Sequence, residues 1–318
     1  MQRKMISAAI ACLMLLLPAV VWAGQSVPAH PEALVDGEWV VEHVEDSDVV
    51  VLDASDRKDD TYVKQTVEGA LLLPYRELRQ PSGLMKGVTY GMERETFDET
   101  PLEAMFRRAG INGDTTVVVA AQHRVDDAMV LFWSLKWLGH DDVRLLPVNY
   151  LEALPEEALT SERQLVSEVD REGNFEARPD WSWYATREDV LRAMHSPATG
   201  LWDVRSKAYF EGDKTKTVRG GTLATAKSWP FNKAWGDEAM AELDWDVVAA
   251  NLKKRFAVQD RDRDATTVIS FCNSGHTAAA GFLAWQCGFD WALCDPSWNM
   301  LAYDGSLPVK NIQFYVKP

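Results

Sequence analysis

Residues 266–285 read T-T-V-I-S-F-C-N-S-G-H-T-A-A-A-G-F-L-A-W. A short apolar run ends at Cys272, small polar residues around Gly275 turn the chain, and an apolar helical pattern begins near Thr277. This is the strand–loop–helix step of an α/β protein: the strand is apolar on both faces and the loop sits at its carboxyl end. Half a chain earlier, T-T-V-V-V-A-A at 115–121 makes the same step. Ala121 and Cys272 are 151 residues apart, as are Gly69 and Gly220; Asp53 and Asp203 are 150 apart, and Gly139 and Gly288 are 149 apart. Four landmarks at a nearly constant offset point to a tandem duplication of one domain. Within each copy, apolar strands such as V-V-V-L-D (49–53) and L-W-D-V-R-S (201–206) alternate with helical patterns. The predicted fold class is therefore α/β, two tandem domains, each a small parallel sheet flanked by helices.

A chain of 318 residues, 47% apolar and 25% charged, has the length and composition for two such domains. Residues 1–23 carry Arg3 and Lys4, an apolar run from Met5 to Val21, and small residues at positions −3 and −1 of a Val21-Trp22-Ala23 end. They read as a secretory signal peptide cleaved after Ala23, so the protein is expected in the periplasm with no membrane association after cleavage. The expected domains are 24–150 and 183–318. Between them lies a Glu-rich surface linker over 151–182, whose Trp181, Trp183 and Tyr184 pin its end to the second domain. Acidic residues outnumber basic ones by 48 to 33, a net charge of −15. That excludes nucleic acid as a partner, because polyanion binding needs a basic face.

Beyond the leader the chain keeps Cys272, Cys287 and Cys294. Three cysteines are too few for a disulfide framework. With no CxxC and no zinc-type spacing, no metal or cofactor is implied. Cys287 and Cys294 read as small buried residues, with a disulfide between them the alternative in an oxidising compartment. Cys272 differs because it stands where a strand ends and a loop turns into a helix. Backbone N–H groups converging on its sulfur would favour the thiolate over the thiol. The competing reading is an inert buried thiol.

Asp203-Val204-Arg205, Tyr209-Phe210, Arg219-Gly220-Gly221 and the C-N-S-G-H-T-A of 272–278 together resemble the rhodanese family of sulfurtransferases. The resemblance spans nearly all of the chain after the leader, as the two-domain type with an inactive first domain. It implies that Cys272 accepts a sulfane sulfur as a persulfide and passes it to a thiol or cyanide, a protein acceptor being a further option. It also implies that Asn273, Ser274, Gly275, His276 and Thr277 form the substrate-binding loop and that Arg205 holds an anionic donor. For Arg205 a structural pair with Asp203 is the equal alternative, and Asp203 itself reads as structural. His276 stands where related loops carry an apolar residue. It would either add positive charge near the sulfur, given an ordinary imidazole pKa of about 6.5, or point to solvent. Trp298 is expected to line the cleft.

In the first half the matching loop is A-Q-H-R-V-D-D-A (121–128), with Ala121 at the nucleophile position. It is two residues longer, and Asp126 and Asp127 would repel an anion there. That half should be inactive and should wall one side of the active site. A phosphatase loop of the C-x5-R kind would need Arg where Ala278 stands, so phosphoryl chemistry is excluded. A persulfide carrier that hands sulfur to a partner without broad turnover is the other reading. The donor is expected to be thiosulfate ahead of 3-mercaptopyruvate. The neutral Asn273 and Ser274 resemble mercaptopyruvate loops, but the second carboxylate-binding arginine of those enzymes falls at Tyr209, and export favours thiosulfate.

Overall fold

The computed structural model describes residues 28–55, 65–89, 94–122, 124–234, 245–256 and 267–313. The leader expected over 1–23 lies outside these residues. The first half carries β1 (Val49–Asp53), β2 (Thr66–Val67), β3 (Leu71–Leu72), β4 (Thr116–Ala121), β5 (Val143–Asn149), β6 (Leu159–Thr160) and β7 (Gln164–Leu165). The second carries β8 (Thr199–Asp203), β9 (Thr222–Leu223), β10 (Lys227–Ser228), β11 (Thr267–Phe271), β12 (Asp290–Leu293) and β13 (Val309–Lys310).

Two parallel sheets form, one of order β5-β4-β1-β3-β7 and one of order β12-β11-β8-β10. Read from the outer strand inward, the two halves have the same order. Each sheet is also extended on the same side by a parallel bridge, Leu34 to Leu145 in the first half and Tyr184 to Leu293 in the second. Registers correspond as well: β1 pairs β4 from Val49–Thr116 to Asp53–Ala120, and β8 pairs β11 from Thr199–Thr267 to Asp203–Phe271. The apolar runs form these strands because both faces are covered, so Val50–Asp53, Val117–Ala121 and Val268–Phe271 are buried throughout.

Residues 151–182 do more than link the halves. β7 pairs with β3 in the first sheet, and β6 pairs with β2 antiparallel. Two-residue strands have no apolar run for periodicity to detect, so the sequence shows only a polar connector. Trp181 packs in T-shaped contact with Trp137 and Phe97 of the first half, while Trp183 and Ala185 exchange backbone hydrogen bonds with Leu293 of the second. The aromatic cluster therefore ties the segment to both halves.

The helix Val125–Trp137 is buried over Asp126–Leu135. A helix apolar on nearly every face needs covering on all sides, and the second half supplies part of the cover. Phe132 meets Phe282 edge-on at 4.9 Å and Trp285 at 5.5 Å, and Trp133 Nε1 donates to Trp183 O at 2.7 Å. One cluster of buried residues consequently runs from Leu52 and Val119 through Phe132 to Trp202 and Leu293. Among the described residues no helix is long and apolar enough to cross a membrane, and Cys272, Cys287 and Cys294 form no disulfide.

Candidate active site

Cys272 follows β11 directly and is only 3% exposed. Its backbone is fixed on both sides: Cys272 N–H donates to Ser297 Oγ at 3.1 Å, and Cys272 O accepts from Trp298 N at 2.9 Å. Ser297 also donates to Cys294 O and holds a left-handed φ of 47° while fully buried. A serine in that conformation is strained by about 1–3 kcal/mol and is kept there by its surroundings. It locks the segment after β12 onto the nucleophile position, a role that nothing in the sequence signals.

The loop then closes on the sulfur. Ser274 N–H points at Cys272 Sγ from 3.4 Å. Gly275 has φ +78°, and a Cβ on it would stand 2.8 Å from Asp295 O and Oδ1 and 3.2 Å from Arg79 Nη2, so only glycine makes this turn. Asn273, Ser274 and Thr277 are half-buried, each keeping a side open to solvent, while Gly275 and His276 are buried. The helix expected near Thr277 starts as a 3-10 turn, Thr277–Gly281, and becomes α-helical only over Phe282–Gln286. Gly281 explains the tight start: Trp291 lies where a Cβ would be, and its Nε1 donates to Ser270 Oγ. Of the backbone N–H groups expected to converge on the sulfur, that of Ser274 is the one directed at it among the described residues.

His276 does not point to solvent. It is 7% exposed, stacked on Tyr75 at 4.0 Å, and its Nε2 donates to Asp127 Oδ1 at 2.5 Å. Arg124 Nη2 lies 3.5 Å from Nδ1 and donates to Asp126 at 2.6 Å. Both ring nitrogens therefore face first-half side chains, Nδ1 towards Arg124 and Nε2 towards Asp127. Asp126, Asp127 and His276 present ligand atoms within 4.8 Å of one another, but Arg124 already provides the neutralising cation.

Arg205 is buried and gives Nε and Nη2 to Asp203 at 2.9 and 2.6 Å, with Nη2 also reaching Gly221 O at 2.7 Å. This is the structural pair that the sequence left open. Asp203 further accepts from Arg205 N and Thr222 Oγ1, which saturates it. Trp298 is fully buried, donates to Arg219 O and lies 4.8 Å from the Arg205 guanidinium as a cation–π platform. It supports the site from beneath and does not line an open cleft. From the first half, Arg79 Nη1 reaches Asp295 Oδ1 at 2.7 Å, and Met85 N donates to Asp295 Oδ2. The loop is thus flanked by first-half residues on two sides.

No protein-family model matches the chain. The sulfur carrier protein TtuD of Thermus thermophilus is 32% identical over 223 residues, which cover 65% of this chain and 72% of that protein. The chain belongs to the rhodanese family of sulfurtransferases. A Mycolicibacterium smegmatis protein named "Putative thiosulfate sulfurtransferase" is 25% identical over 264 residues, 79% of this chain and 86% of its own. SseA from Escherichia coli, described as a 3-mercaptopyruvate sulfotransferase with the rhodanese fold, superposes with a TM-score of 0.63 at 23% identity. That superposition covers 84% of this chain and 98% of SseA, so the fold of this sulfurtransferase is shared along the whole of that structure.

Proposed function

We propose that this sulfurtransferase moves a sulfane sulfur from thiosulfate through a persulfide on Cys272 to cyanide or a thiol. The observation that carries the reading is the Ser274 N–H aimed at a buried Cys272 Sγ at a strand's carboxyl end. In the first step the Cys272 thiolate attacks the outer sulfur of thiosulfate. The sulfur–sulfur bond breaks, and sulfite leaves with the bonding pair. In the second step cyanide or a thiolate takes the terminal sulfur and the Cys272 thiolate departs. In this proposal Asn273, Ser274, Gly275, His276 and Thr277 form the donor site, and Arg205 serves it through its structural pair with Asp203. 3-Mercaptopyruvate is the second donor in this proposal. Incubation with thiosulfate should add one sulfur mass to the Cys272 peptide, and Cys272→Ser should abolish both the adduct and turnover. Substantial turnover by Cys272→Ser would refute the mechanism.

The name of the Thermus relative favours a second reading, a carrier that loads Cys272 and hands the sulfur to a protein. Steady-state rates with cyanide separate the two: an enzyme turns over many times, whereas a carrier loads once and stalls. We also propose domains at 24–150 and 183–318, with 151–182 between them, and export to the periplasm. The export reading rests on Arg3, Lys4, the apolar run and the Val21-Trp22-Ala23 end. Native protein from an osmotic-shock fraction should begin at Gly24, and an intact Met1 in the cytosol would refute export.

A further inference from the structure

We infer that Asp127, from the cysteine-less loop of the first half, is a positioning residue for the Cys272 loop of the second, acting through His276. The inference rests on the reading of Cys272 as the sulfur acceptor. The two side chains meet at 2.5 Å and are 149 residues apart, the same offset as Gly139 and Gly288. They therefore occupy matching positions at the start of matching helical segments, and the two halves clasp each other through equivalent sites of the repeat.

Everything that grips the imidazole comes from the first half: Asp127 at Nε2, Asp126 at 3.4 Å, Tyr75 stacked on its face, and Arg124 at Nδ1. Asp126 and Asp127 lie in the first turn of Val125–Trp137, where the helix favours acidic side chains. Burial pushes the Asp127 carboxyl above its ordinary range, and its bond to His276 offsets only part of that rise. Each group thus depends on the other to be tolerated in the interior.

His276 follows Gly275, the left-handed turn that brings the loop around the sulfur. Anchoring its ring fixes the backbone between Gly275 and Thr277, and with it the direction of the loop amides. The two acids that at first sight make the first loop hostile to an anion have another use. They hold the other loop in its working shape, and Arg124 and His276 satisfy them.

The test uses the full chain carrying Asp127→Ala, Asp127→Asn, His276→Val, His276→Gln, or Asp127→Ala with His276→Val. Two quantities are measured: the rate of Cys272 alkylation by iodoacetamide at pH 7, and kcat and KM with thiosulfate and cyanide. Asp127→Ala and His276→Val should each slow alkylation about tenfold, the scale of a small misplacement at a reacting group. Each should lower kcat with KM changed less than about twofold. The double variant should be no slower than the slower single, because both remove one interaction. Asp127→Asn and His276→Gln keep a hydrogen bond in place and should retain more of the rate than Asp127→Ala and His276→Val. Parent-like alkylation in Asp127→Ala, or a double variant whose loss is the product of the singles, overturns the inference. If the alanine variant does not fold, His276→Val decides, and a parent-like alkylation rate in it overturns the inference. Should the parent chain transfer no sulfur, the alkylation rates still report on the clasp, so the two readings fail separately.

Discussion

Cys272 and Cys294 emerge from neighbouring strands of one buried layer, and their surroundings divide their chemistry. Cys294 is fully enclosed, and burial pushes its thiol up to about 12. A thiol held above its unfolded value stays protonated through the neutral range. Its contribution to stability is intact below about 9 and is lost only as pH rises through about 12. Cys272 instead has an open-sided loop and an N–H directed at its sulfur. Native protein treated with iodoacetamide at pH 8 should be labelled at Cys272, with Cys294 reacting only after denaturation. Peptide mass spectrometry reads this, and equal labelling of both in the native state would contradict it. For Cys294 the sequence left a disulfide with Cys287 open, and only packing closed the question.

At the scale of elements, the duplicated steps β1-to-β4 and β8-to-β11 were legible because an apolar run of five or six residues flanked by turns has few other uses. Asp53 and Asp203, which end β1 and β8, are held by different partners. Asp53 accepts from Ser55 N, Thr66 and Tyr150, whereas Asp203 accepts from Arg205 and Thr222. Both close the carboxyl end of a strand by saturating a buried carboxylate. Only the second half does so with a guanidinium, which places a cation beside the loop of Cys272. The short β3, β6 and β7 were not legible, since two residues define no period. Nor was the 3-10 start at Thr277–Gly281, at whose end Gly281 leaves room for the indole of Trp291.

Across the whole molecule the halves are joined by an apolar helix face and by a few polar ties, Arg79–Asp295 among them. The two side chains are 9% and 0% exposed. Arg79→Ala would take the guanidinium partner away from Asp295, a loss of about 3–5 kcal/mol for a broken buried pair. Urea unfolding of Arg79→Ala against the parent should show that loss as a lower midpoint. An unchanged midpoint would mean that the tie contributes nothing to the union of the halves. The sequence by itself determined the α/β class and the loop that carries Cys272, because both are written in local runs of residues. The tertiary structure alone decided that Arg205 is spent on Asp203, that Ser297 fastens Cys272, and that Asp127 holds His276. Those pairs join residues up to 149 positions apart, and distance along a chain carries no record of which buried charges must meet to be neutralised.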